Sequence, residues 1–355
     1  MLKNRSIQSR MLSRLKRIYA CASTLSSFSR FNSPREASFS STTFLQQEQH
    51  RQHPKKIALV MGVANHRSIA WACVESFRQK HFDVVFTYQD DNISQHKKQA
   101  AMDTLIANSN QKQETGGKIL EAIPCNVETD LPRLFQDQIP ELLDGRTGLL
   151  DSIVHSIAYA PFKANSSGNC DSSISEASLQ DFQTAHHIST FSLLETTRYA
   201  KSMMNSSLEN GGQGASITAL TYLGANRAVS NYGLMGPAKA SLEACVRGLA
   251  VELGSFTLPS TASSTASSSS SSSNSQQQHR IRVNAVSAGP LRTLSSRGIP
   301  QFTELYQHVE KKAPLQRNVT HQEVADTVRF LATDGTGMTG QVIYVDAGYS
   351  SVVPV

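Results

Sequence analysis

IALVMGVANHRSIAWACVESFRQK, residues 57–80, decides the fold. Its first residues are a short, continuous apolar run, which suits a strand covered on both faces. Gly62 ends the run, and 68–80 reads as a helix with Ser68 near its start. A strand, a tight glycine turn and a helix N-terminus together present backbone N–H groups to an anion such as a pyrophosphate. Only Gly62 of the usual three glycines is present, with His66 and Ser68 at the other two places and Met61 before the turn.

The same alternation continues outward. Further strands are predicted at 83–88, 119–125, 152–157, 215–222, 280–288 and 341–348, with helices near 94–108, 130–143, 178–205, 231–254 and 320–332. Buried β-rich runs alternating with helices mean a parallel sheet covered on both faces. The expected fold is α/β: a doubly wound, Rossmann-type parallel sheet of about seven strands, one domain over 55–355. One tract interrupts it. TLPSTASSTASSSSSSSNSQQQH (257–279) is too polar to order itself and is expected to be a disordered insertion.

Residues 1–54 belong to another class. No acid precedes Glu36, and Arg10, Arg14 and Arg17 stand beside Leu2, Met11, Leu12, Leu15 and Ile18. This is the profile of a disordered transit peptide and linker, with the mitochondrion favoured and a plastid the alternative. Residues 1–50 carry eight basic and two acidic side chains, so they account for the entire net charge of +6. The rest is neutral, which argues against nucleic-acid binding. The five cysteines are scattered without a metal-ligand spacing, and no run has the length of a membrane span. No metal is expected.

The second decisive stretch is TYLGANRAVSNYGLMGPAKA (221–240). With a helix over 231–254, Tyr232 and Lys239 are two turns, about 10.5 Å, apart on one face with Met235 between them. A phenol and an ammonium so held suit a reaction that develops an oxyanion, the lysine charge lowering the cost of tyrosinate. Pro237 is the discordant residue: inside the helix it would cost ~3 kcal/mol, in the first turn nothing. TYQDD (87–91) ends the second strand with Gln89 and two acids, a pattern that accepts a ribose hydroxyl and disfavours a 2′-phosphate. HSIAYAP (155–161) and SAGPLRT (287–293) end two further strands at the same sheet edge. His155, His186 and His187 read as core histidines without acidic partners.

In this order, GVANHRSIA, TYQDD, VHSIAYAP, AHHIS, TYLGANRAVSNYGLMGPAKASLEA, VNAVSAGPLRT and VIYVDAGYS resemble the NADH-dependent enoyl-[acyl-carrier-protein] reductases. These are a divergent branch of the short-chain dehydrogenase/reductases, and the resemblance spans about 55–352. The wider superfamily places its tyrosine four residues before the lysine, where this chain has Met235; the enoyl reductases use Y-x₆-K, here Tyr232 and Lys239.

The resemblance implies NADH as cofactor, held by Gly62, Ser68 and Ile69 at the pyrophosphate and Gln89 at the adenine ribose. Asn126 and Val127 would flank the adenine. Ser156, Ala158 and Lys239 would meet the nicotinamide ribose, and Leu291 and Thr293 the carboxamide and phosphate region. It implies Tyr232, Lys239 and Tyr222 as the catalytic group. Tyr159, Ala160, Tyr222 and Met235 would take the acyl chain, with 294–312 as a mobile substrate segment. The implied partners are acyl carrier protein and further copies of the chain in a homotetramer. Two competing readings stay open: another short-chain dehydrogenase/reductase acting on a carbonyl or alcohol, which Met235 opposes, and an inactive NAD-binding scaffold, which Pro237 permits.

Overall fold

The computed structural model describes residues 55–89, 95–112, 116–143, 150–161, 163–164, 170–171, 173–206, 213–257 and 278–352. Residues 1–54, on which the transit-peptide expectation falls, Asp90 and Asp91, and positions 258–277 of the Ser-rich tract lie outside the described residues.

Seven strands form one parallel sheet: β1 (Ile57–Met61), β2 (Asp83–Tyr88), β3 (Ile119–Pro124), β4 (Leu150–His155), β5 (Ala215–Thr221), β6 (Ile281–Ala288) and β7 (Val342–Val345). Their order is β7-β6-β5-β4-β1-β2-β3, and every pairing is parallel. The winding reverses between β1 and β4, which opens a crevice at their carboxyl ends. All residues of β1, β2, β5 and β6 are buried, whereas the edge strands β3 and β7 are partly exposed. The continuous apolar runs thus mark the central strands, where both faces need covering.

Two cores follow from the two faces. Helices α1 (Ile69–Gln79), α2 (Gln95–Lys112) and α7 (His321–Thr333) cover one, through Trp71, Val74, Phe77, Met102, Val324, Val328 and Leu331. The helical segments α3 (131–143), α4 (179–200) and α5 (Met235–Leu253) cover the other, through Leu134, Ile139, Leu193, Leu242, Val246 and Leu253. Burying each such side chain contributes ~1.5–3 kcal/mol, enough to fix which face each helix covers.

Three expectations change. The helix expected over 231–254 begins at Met235, so Tyr232 is not on it. Asn231 (φ 61°) and Gly233 (φ 50°) take left-handed conformations and turn the chain into the helix instead. Pro237 therefore falls in the first turn, where its missing N–H is one of the four that lack an intrahelical partner in any case. The segment 294–312 holds a 3₁₀ turn, Ser295–Gly298, and a helix, α6 (Phe302–Lys312), absent from the sequence expectation. Finally, α4 is not uniform: its middle, His187–Phe191, is a π-turn.

The Ser-rich tract is anchored at both ends by a small antiparallel ladder, Phe256 opposite His279 and Thr257 opposite Gln278. The chain therefore enters and leaves it already in hairpin register. Replacing 258–277 by Asn-Gly is expected to keep unfolding free energy within about 1 kcal/mol of the parent, since loop-closure cost varies slowly with length. Thermal or urea unfolding measures this, and a larger loss would mean that the tract packs on the domain.

Candidate active site

The sheet's carboxyl edge opens into a cavity of about 570 Å³. Gly62, Ser68 and Ile69 line it from the β1–α1 turn, Gln89 from beyond β2, and Asn126 and Val127 from beyond β3. Ser156, Ala158, Tyr159 and Ala160 follow β4, and Tyr222 follows β5. Tyr232, Met235 and Lys239 come from the turn and helix after it, and Leu291 and Thr293 from the loop after β6. Every site residue expected from the sequence lines this one space.

Gly62 has φ +91°, and a Cβ there would lie 2.3 Å from the Ser156 carbonyl oxygen. The turn can run that close to the β4 exit only without a side chain. Its N–H and that of Val63 donate to the Thr87 carbonyl at 3.1 and 2.8 Å, bringing β1 and β2 ends together. Ser68 caps α1, its Oγ accepting from Trp71 N–H at 3.1 Å. The helix N-terminus with its positive dipole end thus faces the cavity. Asn126 Oδ1 accepts from Glu128 N–H at 3.1 Å, leaving its amide nitrogen as the donor. Thr293 and Ser296 bond each other reciprocally, N–H to Oγ at 2.9 and 3.1 Å, and so pin the β6 exit.

Tyr232 and Lys239 share the cavity by a route other than the one expected. The turn at 231–234 swings the phenol back over the helix start, where Tyr232, Leu234 and Met235 form a small apolar cluster with Ala160 and Ala185. The Tyr232 ring packs on Tyr222 at 4.9 Å between centroids. Burial, then Tyr222 and Glu243, push the Tyr232 hydroxyl's pKa well above the ordinary phenol value. Tyr232 is therefore a neutral hydrogen-bond donor in this structure. Lys239 donates to the Leu220 carbonyl at 2.8 Å and reaches that of Ile157 at 3.4 Å, the exits of β5 and β4. Desolvation lowers its pKa to about 8, against an opposing pull from Glu243.

The histidines divide. His155 is fully buried and held near pKa 3 by burial and by Lys239. Because Ser192 Oγ donates to the Ile188 carbonyl at 2.7 Å, it accepts from His155 Nε2–H at 2.8 Å, which fixes the tautomer. His186 and His187, expected in the core, are half-exposed; His186 stacks on Phe182, and His187 has an acidic neighbour, Glu128, at 3.7 Å. They lie where α4 opens to solvent.

Two contributors lie inside the quoted motifs but had no role assigned from the sequence. Ser189, in the π-turn of α4, accepts from Tyr159 N–H at 2.9 Å and donates to Tyr159 C=O at 2.8 Å. One buried hydroxyl thus satisfies both backbone groups of a residue whose side chain is 51% exposed, and so fixes the loop along the cavity. Gly224 is the other: a Cβ there would meet the Tyr232 ring at 2.4 Å. A second cavity of about 610 Å³ lies beyond Tyr222 and shares only that residue and Leu305 with the first.

Fold and site define an oxidoreductase of the Rossmann type, with a dinucleotide cleft at the strand switch and a tyrosine–lysine pair facing it. The family profile described as “Enoyl-(Acyl carrier protein) reductase” matches residues 62–258 and 263–350, and the chain belongs to that family. It is 38% identical over 298 residues to the enoyl-[acyl-carrier-protein] reductase [NADH] FabI of Nostoc sp., covering 83% of this chain and 96% of that protein. Its Staphylococcus aureus relative, 34% identical with 84% and 97% covered, is named as the [NADPH] enzyme. Among solved structures, the Bacillus cereus enoyl-acyl carrier protein reductase with NADP+ and indole naphthyridinone aligns with a TM-score of 0.64 and 34% identity, over 84% of this chain and 97% of that one.

Gly224→Ala tests the Tyr232 placement. Displacing the ring is expected to lower kcat by at least about tenfold, equivalent to ~1.4 kcal/mol, while dissociation of NAD(H), measured by fluorescence, changes less than about twofold. Unchanged kcat would mean that the ring position does not matter.

Proposed function

We propose that the chain reduces the trans-2 double bond of an enoyl thioester on acyl carrier protein, with NADH as hydride donor, in dissociated (type II) fatty-acid synthesis. One observation carries this: Tyr232 and Lys239 face one cavity with Met235, which has no acidic proton, four residues before the lysine. A ketone reductase of this fold would place its tyrosine there.

The residues present fit a dinucleotide. The Cβ-free cradle at Gly62, Ser68 and Ile69 at the α1 N-terminus suit the pyrophosphate. Gln89 suits the adenine ribose, Asn126 and Val127 the adenine, and Ser156 and Ala158 the nicotinamide-side ribose. Lys239 offers that ribose its remaining donor, with Leu291 and Thr293 over the carboxamide and phosphate region. NADH over NADPH follows from Gln89 and the two acids after it, against the named preference of the Staphylococcus aureus relative.

Bound there, NADH supplies a hydride to C3 of the enoyl group. Tyr232 donates its phenolic hydrogen bond to the thioester carbonyl oxygen, where the negative charge of the enolate gathers before C2 takes a proton from solvent. One such donor is worth about 3–4 kcal/mol of barrier. Lys239 keeps a positive charge beside that oxygen. Tyr222, Met235, Tyr159 and Ala160 line the acyl side and exclude water from it.

Arg297 and the last-turn Lys311 and Lys312 of α6 supply positive charge for an acidic carrier protein. Homotetramer assembly is supported by large apolar side chains left exposed on α4 and α5: Leu179, Phe182, Phe191 and Val251. Import into an organelle, the mitochondrion before the plastid, rests on the arginines and missing acids of the leader.

The test is oxidation of NADH, and of NADPH in parallel, with crotonyl thioesters of carrier protein and of coenzyme A. Turnover is expected with the carrier-protein substrate, at least about tenfold more efficient with NADH. Tyr232→Phe should lose about a hundredfold or more in kcat, with near-parent NADH affinity. NADH binding without turnover of either thioester would overturn the proposed reaction, and equal efficiency with NADPH the cofactor preference.

A further inference from the structure

Lys239 is a buried cation, 4% exposed, and a buried cation needs a counter-charge to remain one. Its carbonyl partners, Leu220 and Ile157, supply dipoles but no net charge. The titratable groups facing it are few. His155 from β4 is neutral, and Tyr222 and Tyr232 from either side of the β5–α5 loop are neutral phenols. On its own helix, one turn further along the same face, stands Glu243.

Glu243 is itself buried, 6% exposed, and does not line the cavity. Its Oε1 accepts a 2.8 Å hydrogen bond from Thr221 Oγ1. Thr221 directly follows Leu220, the residue whose carbonyl receives Lys239. Lysine and glutamate are thus fixed to adjacent residues at the end of β5 by two hydrogen bonds of the same length. Behind Glu243, Arg247 continues the face one turn on, exposed to solvent; burial raises the Glu243 carboxyl's pKa above its ordinary value, and Thr221, Arg247 and Lys239 pull it back toward the carboxylate.

We propose that Glu243 is a positioning residue of this site: its fixed carboxylate keeps Lys239 charged and Tyr232 a phenol, without touching substrate or cofactor. The two effects have one sign. A negative charge at this place favours the ammonium and disfavours the phenolate, which is the protonation pair that an oxyanion-stabilising site needs. The same field acts in both directions in this structure: Glu243 raises the pKa of Lys239 and also that of Tyr232.

The inference rests on the proposed contact of Lys239 with the cofactor ribose, so its test reads NADH binding rather than enoyl reduction. Lys239 is protonated below about pH 8 and loses its charge as pH rises through that value. NADH affinity of the full chain, by fluorescence titration, is expected to fall over that range. Glu243→Gln keeps the hydrogen bond from Thr221 and removes only the charge. It should move the midpoint of that fall down by roughly two pH units, as for one charge about 6 Å away, a helical turn along, at an effective dielectric constant of about 20. At pH 6 parent and variant should bind within about twofold, and at pH 7.5 the variant several-fold more weakly.

Glu243→Asp, which keeps the charge, should return the midpoint most of the way to the parent's. If Glu243→Gln folds, by circular dichroism, and its binding curve superimposes on the parent's, the proposal is wrong. It is equally wrong if Asp behaves as Gln, since shape rather than charge then matters. Should neither buried variant fold, Thr221→Val decides: it removes the hydrogen bond that holds the carboxylate, so the midpoint should move downward, and an upward or absent shift overturns the proposal. A protein that binds NADH with these shifts but reduces no enoyl thioester would leave Glu243's role standing and remove the proposed reaction.

Discussion

The hydrogen bond from Lys239 to the Leu220 carbonyl, with the longer reach to Ile157, is the contact on which the site depends. It joins the exits of β4 and β5 to the first turns of α5, and the Thr221–Glu243 hydrogen bond ties β5 to the same helix two turns further on. A buried ammonium without such partners would cost several kcal/mol, so the lysine forces the helix start and both strand ends into one arrangement. Ser156 and Ala158 flank Ile157 in sequence, and Tyr222 lies two residues beyond Leu220. The cofactor side and the acyl side of the cavity are therefore set by the same ammonium.

Around that tie, close packing excludes alternatives. Gly62 lets the β1 turn meet the β4 exit, and Gly224 lets Tyr232 lie flat against the chain beneath it. Each is a place where one methyl group would occupy space already filled by backbone or ring. The phenol is then placed by turn geometry, not by helix periodicity, and the left-handed residues Asn231 and Gly233 make that turn. Pro237, seemingly at odds with a catalytic helix, supports the same arrangement by starting α5 late.

Most of the sheet was legible because central parallel strands leave so strong a trace: an unbroken apolar run such as IALVM has no other economical place. The site residues were legible for a related reason, since they cluster where those runs end. What escaped depends on contacts between distant segments. Helix α6 is amphipathic, with Phe302, Leu305, Tyr306 and Val309 at helical spacing, but it follows loop-like residues and was assigned to a mobile segment. Y-x₆-K fits two turns of helix as well as it fits a turn followed by a helix, so the motif alone does not place Tyr232. Glu243 and Ser189 stand in quoted motifs, but the motifs do not show what they do; each role is defined by its partner, Thr221 and Tyr159. His186 and His187 were misplaced because a doublet in an apolar stretch does not say which side of a helix it occupies.

The π-turn at His187–Phe191 has a further consequence, one of phase. An α-helix advances 100° per residue, so one extra residue in a turn rotates everything beyond it by roughly that angle relative to everything before. The two halves of α4 are thereby clocked independently. Leu179–His186 can present its exposed apolar side chains outward, while Ser192–Ala200 turns Leu193, Thr196 and Ala200 into the core. Between them, Ser189 and Thr190 both point inward, to Tyr159 and to the Ala238 carbonyl at 2.7 Å. A regular helix of the same sequence would have to give up one of these orientations. The irregularity works as a vernier, letting the surface and the cavity be adjusted by separate substitutions on what is otherwise a single rod.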